Sequence, residues 1–343
     1  MARVSVVMAV YNAANFLPES VGSILSQTFR DFELILINDC SKDDSLSVIN
    51  GFKDDRIRVI DNVANKGAAE SRNVGMAAAT GEFVAIMDAD DISSPTRLES
   101  QVAFLDARPE IGLVGCAVYD NIDVDGTILY TSYLPEDNDA IQRTLIEKWC
   151  FLHPSIMFRR ESYLRVGGYR KQFEPAEDHD FILRVLEHCK AHNLPSKLVQ
   201  YRINPKGLSV VGHGYINQLG EAAMQLAQER RQGKDEQGEL SRLSEEMRLR
   251  EESGPMARMI QWGRNSLYAS NRYYGFGCRE LYAGNLKHAR KCFVRSLGNN
   301  CLFMKSWIGL SLTFFPFAVD RLKFAFKASM QYHQELEKQR GSA

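Results

Sequence analysis
The chain has 343 residues, enough for one large domain and a smaller appendage, and its 45% hydrophobic and 25% charged content is ordinary for a globular protein with a sizeable core. Its seven cysteines form neither a C-x-x-C unit nor a paired framework, which argues against a disulfide scaffold or a thiolate zinc site and points to a reducing cytoplasm. The formal net charge of −1 hides an asymmetry: from Arg258 onward 14 Lys or Arg stand against 4 Asp or Glu, so a basic C-terminal region balances an acidic N-terminal part.

The run Arg3 to Val10 is followed by no small-residue cleavage site and reads as a first strand, not as a signal peptide. Phe32 to Asp39, Ile57 to Asp61 and Glu82 to Asp88 are three further strand-like runs, alternating with helix-like stretches. Runs that are apolar on both faces and separated by amphipathic segments describe a parallel sheet with helices packed on it. In the first helix Phe16, Val21, Ile24 and Leu25 recur at helical intervals, and a third spans Ala68 to Ala79 and stops before Gly81. After the fourth strand, Ser94 is expected to cap a helix with Pro95 in its first turn. Ile111 to Tyr119 reads as a strand leading to a hairpin whose Asp125-Gly126 has the composition of a tight primed turn. His153 to Arg160 reads as a strand, Glu161 to Val166 as a short helix and Phe181 to Cys189 as a longer one.

Beyond about Gly214 the pattern changes to long charged helices. The expected organisation is therefore a catalytic domain over residues 1–214 and a helical region over 215–343. No segment reaches the ~20 apolar residues that a membrane-spanning helix needs; Ser306 to Val319 is shorter and is interrupted by Pro316. In the tail, Arg321, Lys323 and Lys327 interleave with Phe317, Leu322, Phe324 and Phe326. That mixture suits peripheral contact with an anionic membrane, and equally an ordinary helical subdomain.

In open parallel sheets, ligands bind beyond the carboxyl ends of the strands. The first strand ends at Tyr11-Asn12, the second at Asn38-Asp39, the third leads to Asn65-Lys66, and the fourth ends at Asp88-Ala89-Asp90-Asp91. Neither G-x-G-x-x-G nor a P-loop sequence follows the first strand, which disfavours a dinucleotide dehydrogenase or a P-loop enzyme. A diphosphate bound without a glycine cradle needs another partner for its charge, and a hard divalent cation on paired carboxylates is one. Asp88 and Asp90, two residues apart on an extended segment, point to the same side. Read alone, Asp39 is equally a turn aspartate, Tyr11 a core aromatic, and Asp178 an N-cap for which Asp180 competes.

Val4 to Ser45, Asn65 to Gly75 (NKGAAESRNVG) and Gly81 to Glu99 (GEFVAIMDADDISSPTRLE), followed by HPSIMF, VGGY and AEDHDF, closely resemble family-2 glycosyltransferases of the GT-A fold. The resemblance runs to about Arg202 and leaves the helical tail uncovered. It implies an α/β GT-A catalytic domain, a mostly parallel sheet flanked by helices. It implies inverting transfer of a sugar from a nucleotide sugar, a UDP-sugar first, to the hydroxyl of a saccharide or lipid-linked saccharide in surface polysaccharide synthesis. It implies Ala9, Val10 and Tyr11 lining the base pocket, Asp39 accepting from the uracil N3–H, and Lys66 and Arg72 near the base or diphosphate. Asp88 would contact the nucleoside, Asp90 would ligate Mn²⁺ or Mg²⁺, Asp178 would be the general base with Glu177 beside it, and His153 would lie near the acceptor. Many relatives carry Tyr-Arg-x-His where this chain has Tyr201-Arg202-Ile203-Asn204, so metal binding or loop closure is expected to differ here.

The alternatives are a sugar-phosphate nucleotidyltransferase, which usually has a Gly-rich, Arg-containing loop after the first strand, and a non-catalytic nucleotide-sugar-binding protein. Tyr11 to Pro18 holds no glycine or arginine. Nucleic acid is not an expected partner, and the expected location is the cytoplasm or the inner face of the cell membrane.

Overall fold
The structure is a computed structural model that describes residues 2–204, 207, 213–251, 273–275, 277–278, 280–281, 286–299 and 303–312. The chain divides into two compact units, Met1–Ser253 and Gly254–Ala343.

The first unit is built on one mixed sheet in the order β3-β2-β1-β4-β8-β6-β9-β5, with β7 paired to β6. Its strands are β1 (Val4–Val10), β2 (Phe32–Asn38), β3 (Ile57–Asp61), β4 (Phe83–Ile86), β5 (Ile92–Ser93), β6 (Ile111–Ile122), β7 (Ile128–Tyr133), β8 (Met157–Arg159) and β9 (Lys190–Arg202). The helices are α1 (Leu17–Leu25), α2 (Ser45–Gly51), α3 (Ala68–Ala78), α4 (Arg97–Ala107), α5 (Asn138–Thr144), α6 (Arg160–Val166), α7 (Glu177–Val185), α8 (His213–Arg231) and α9 (Gln237–Glu251).

β1 runs parallel to β2 and β4, and β2 runs parallel to β3. Alternation along β1 explains its unbroken apolar reading. Val4, Val6, Met8 and Val10 pack with Leu17, Val21 and Ile24 of α1, while Val7 faces Ala69 and Met76 of α3. β3 departs from the expectation of strands apolar on both faces. It is the sheet edge, and Arg58, Val59 and Asp61 are exposed.

The other half of the sheet is mostly antiparallel. β8 runs against β4 and β6, and the long β6 carries β9 parallel along one edge. β5 follows directly on the Asp88–Asp91 segment and pairs with β9 through Ile92–Gln200 and Ser93–Val199. The acidic loop is therefore braced by a strand far away in sequence.

Four local expectations are corrected. The N-cap of α4 is Thr96, with no side-chain cap bond; Ser94 works through its backbone, accepting from Arg97 N at 3.1 Å and donating to Leu198 O at 2.8 Å. The hairpin is not a primed two-residue turn. Asp123 and Thr127 bracket a three-residue loop in which Gly126, at φ 82°, takes the left-handed position. α7 starts at Glu177, four residues before Phe181, and its N-cap is Ala176. Asp178 therefore lies within the first turn, and His153 belongs to a 3₁₀ turn (His153–Ser155) ahead of β8.

The change of character near Gly214 marks the start of α8, yet the compact unit runs on to Ser253. Leu219, Ala223, Leu226 and Ala227 of α8 and Leu243 of α9 share a core with Phe181 and Leu183 of α7. An ion network ties the same elements together: Arg170 to Glu236 at 2.5 Å, Arg230 to Glu236 and to Glu187 at 2.7 Å, and Arg170 to the fully buried Asp180 at 3.6 Å. In the second unit, α10 (Leu286–Asn299) and α11 (Met304–Leu312) enclose a small core around Leu281, Ala289 and Phe293. Arg321, Lys323, Lys327 and their apolar neighbours lie outside the described residues. No described helix is long and apolar enough to cross a membrane.

Candidate active site
The strand ends assemble as the topology requires. Ala9 is half-buried, Val10 is buried and Tyr11 is 50% exposed at the end of β1. Asn12, at φ 51°, laces this end to the loop after β2: its Oδ1 accepts from Lys42 N at 2.7 Å, and its N donates to Ser41 Oγ at 3.1 Å.

Asp39 is 3% exposed, and its carboxylate collects three donors. Asn62 Nδ2 and Lys66 N donate to Oδ1 at 2.9 and 2.8 Å, and Gly67 N donates to Oδ2 at 2.9 Å. It thereby shapes the 62–67 loop and leaves the Lys66 side chain exposed. Glu174 Oε1 accepts from Ala68 N at 3.0 Å, and a Cβ on Gly67 would lie 2.7 Å from Glu174 Oε2. Two carboxylates of the chain thus fill the N-terminus of α3. In many α/β proteins that position cradles a phosphate; here it is occupied from within.

Arg72, on α3, is the hub. It is 8% exposed and donates through Nη2 to Asp88 Oδ1 at 2.9 Å and through Nη1 to Glu177 Oε1 at 2.5 Å. One guanidinium therefore joins the acidic loop after β4 to the first turn of α7. Burial alone would raise the Asp88 carboxyl, but Arg72 holds it below its ordinary value.

The rest of the acidic loop lacks such a partner. Burial and the neighbouring Asp88 push Asp90 up to about 6, although Asn204 Nδ2 donates to its Oδ2 at 3.0 Å. Asp91 is fully buried; Oδ1 accepts from Arg202 N at 2.7 Å, while Oδ2 has no partner, and burial with Asp90 and Asp88 drives its pKa well up. Arg202 holds the loop in place. It donates to Asp90 O at 2.7 Å, to Asp123 O and Val124 O at 3.1 and 2.9 Å, and to Glu19 Oε2 at 2.5 Å. Below the loop, Arg97 is fully buried and donates to Ile86 O and Ile156 O, joining the end of β4 to the residue preceding β8.

Across Arg72, burial and the adjacent Glu177 raise Asp178 to about 8. Asp178 Oδ1 accepts from His179 N at 2.9 Å. Glu177 is 4% exposed, and its Oε2 is buried without a partner. Asp180 does not share this setting, because Arg184 locks its Oδ2 at 2.7 and 2.9 Å. His153 Nε2 meets the Tyr169 phenol at 2.9 Å, and burial and Arg72 hold the imidazole down to about 3, in its neutral form.

The sequence reading thus brings together Arg72, Asp88, Glu177 and Asp178 around one centre, with Asp90 on the same acidic loop. Ala9 to Tyr11, Asp39 and Lys66 form the neighbouring strand-end edge. It missed the bracing by Arg202, Glu174 and Arg97, for which only the order of the motifs offered a hint, and it missed Tyr169. Among the described residues no three His, Cys, Asp or Glu side chains converge as a metal cage. Two cavities of about 500 and 350 Å³ lie around the end of α7 and share no residue with this constellation.

Residues 5–167 match the model of the family described as Glycosyl transferase family 2. The putative glycosyltransferase EpsE of Bacillus subtilis is 38% identical over 208 residues, covering 58% of this chain and 73% of that protein. The O-antigen biosynthesis glycosyltransferase WbnJ of Escherichia coli is 31% identical over 211 residues, covering 59% of this chain and 80% of its own length. Among solved structures, the mannosyltransferase PcManGT of Pyrobaculum calidifontis, in complex with GDP-Man and Mn²⁺, superposes with a TM-score of 0.52 at 18% identity over 94% of this chain and 87% of that one. At that identity the likeness speaks to the fold, which is GT-A. With the family model and the EpsE match in agreement, the chain belongs to glycosyltransferase family 2 and is a glycosyltransferase enzyme.

Proposed function
We propose that the chain is an inverting glycosyltransferase that moves a sugar from a UDP-sugar to the hydroxyl of a saccharide or lipid-linked saccharide in surface polysaccharide synthesis. One observation carries the reading: Arg72 grips Asp88 and Glu177 at once, so the acidic loop and the turn bearing Asp178 face a common centre. The relatives' names, one of them an O-antigen biosynthesis enzyme, support the polymer context.

On this reading Ala9, Val10 and Tyr11 wall the base, and Asp39 offers its remaining lone pairs to the base N–H. Lys66 and Asp88 meet the diphosphate and ribose, and Arg72 serves the donor by fixing Asp88. With the α3 N-terminus filled by Asp39 and Glu174, the diphosphate charge needs another partner. The acidic loop fits a hard cation: it holds excess carboxylate charge, an unpartnered Asp91 oxygen and an Asp90 carboxyl raised by its surroundings. Asp90 would hold Mn²⁺ or Mg²⁺, supplying charge neutralisation for the departing diphosphate. Among the described residues too few ligands converge for a closed cage, as is usual where substrate phosphates complete the coordination.

Asp178 removes the acceptor proton as the new bond forms at the anomeric carbon, a contribution of ~10²–10⁴-fold in general base catalysis. With the carboxyl raised to about 8, its ionised form is a stronger base than an ordinary aspartate and grows in as pH rises toward that value, so turnover should rise with pH over the same range. Glu177 and His153 bound the acceptor side. Attack from the face opposite the leaving group inverts the anomeric centre. The test is nucleoside diphosphate release from a panel of nucleotide sugars with and without Mn²⁺; metal-independent release, or a preference for a non-uridine donor, overturns the corresponding part.

We further assign the second unit to an anionic membrane surface that carries the acceptor. Between Leu286 and Leu312 the sequence has five Lys or Arg and no Asp or Glu, and Trp307 and Ile308 of α11 are 53% and 60% exposed. The expected result is sedimentation of the protein with anionic but not neutral liposomes. Equal behaviour with both removes the assignment.

A further inference from the structure
Tyr169 stands where the donor helix, the acceptor wall and the base-bearing helix meet. Asn73, on α3, pairs with its peptide from both sides: Nδ2 donates to Tyr169 O and Oδ1 accepts from Tyr169 N, each at 2.8 Å. The approach is so close that a Cβ on Gly168 would lie 2.2 Å from Asn73 Oδ1, so glycine is required there. The Tyr169 ring packs on Phe181 of α7, with centroids 4.6 Å apart, and the Arg72 guanidinium lies 5.9 Å from its centroid. The charged groups acting on the phenol are Arg72, Asp178, Glu177 and Asp88, all members of the site. At 3% exposure the residue has no freedom to reorient.

The phenol meets His153 Nε2 at 2.9 Å. A phenol is a stronger acid than a neutral imidazole N–H, and an imidazole nitrogen is a stronger base than a phenol oxygen, so the O–H donates to Nε2. A neutral ring that accepts at Nε2 carries its proton on Nδ1. We propose that Tyr169, held by Asn73, is a positioning residue that locks His153 in the Nδ1–H tautomer and so presents one N–H donor to the acceptor oxygen. The inference rests on the reading of His153 as an acceptor-side residue.

The test is ¹⁵N NMR of the histidine ring nitrogens in the full chain, with the His153 signals assigned by their loss in His153→Gln. Wild type should show Nδ1 protonated and Nε2 bare; a protonated Nε2 overturns the proposal without any further variant. Tyr169→Phe keeps the ring packing and removes only the O–H. It should leave a mixture of tautomers and slow UDP release from a UDP-sugar, with water as acceptor, by ~10-fold through misplacement of the donor. Affinity for UDP should not change. An unaltered tautomer in Tyr169→Phe overturns the lock, as does an unaltered release rate. His153→Gln separates the two layers. If it leaves release unchanged, the acceptor reading of His153 itself fails; if it slows release while Tyr169→Phe does not, only the tautomer lock fails.

Discussion

Asp178→Asn should lower turnover by ~10²-fold or more while UDP affinity stays near wild type. The substitution keeps the size of the side chain and an oxygen able to accept from His179 N, so α7 has no reason to move. What it loses is the capacity to take a proton. Stability should change in the opposite direction to activity. Burial and Glu177 raise this carboxyl from 3.8 to about 8, so its contribution to stability is fully present below the unfolded value and is lost as pH rises through the folded one. The Asn variant should therefore melt above wild type by a margin that widens from about pH 4 to pH 8 and then levels off. Differential scanning calorimetry across that range, beside UDP-release kinetics, measures both halves. Near-wild-type turnover would remove Asp178 as the base and leave Glu177 as the candidate, because Asp180 is sealed against Arg184.

The parallel half of the fold was legible because its code is local. β1, β2 and β4 are buried on both faces and bounded by amphipathic helices, and the strand ends put Tyr11, Asp39 and Asp88 on one edge. The antiparallel half was harder to read. β5 has two residues and β8 has three, too short for any periodicity, and their places are set by β9 and β6. The Ser94 cap was a reasonable local inference that tertiary bonding displaced, since Ser94 N is drawn to Leu198 O instead. The role of Arg72 as a bridge was equally hidden. Its partner Glu177 is 105 residues away, and only the folded chain reveals that a single cation serves both carboxylates.

The same long-range bonding explains why the site should tolerate changes in the acidic loop without unfolding. The loop backbone is held from outside by Arg202, which donates to Asp90 O and Asp91 Oδ1, and by the β5–β9 pairing that follows it. The side chain of Asp90 is thus spared a structural duty, whereas that of Asp88 is tied to the buried Arg72. Asp91, fully buried with one oxygen bonded to Arg202 N, carries such a duty as well.

That division of labour makes Asp90→Asn the sharpest test of the metal assignment. The loop stays braced by Arg202, and an Asn at this position can still accept from Asn204 Nδ2, so the fold and melting behaviour should survive. What disappears is one negative oxygen donor in a site built from hard oxygens, and a divalent cation depends on such charge. Metal-dependent affinity for UDP should fall by at least ~10- to 100-fold, the scale seen when even supporting groups of a metal site are removed. Metal-independent binding of the base, through the end of β1 and Asp39, should persist as a residual weak phase. Isothermal titration of UDP with Mn²⁺, with Mg²⁺ and with neither resolves the two contributions. Asp91→Ala supplies the contrast: it should lower the melting temperature, because it removes the buried acceptor of Arg202 N and empties a fully buried position in the frame. If Asp90→Asn binds UDP with an undiminished response to Mn²⁺ and Mg²⁺, Asp90 is not the ligand, and the cation must rest on Asp88 or the free oxygen of Asp91.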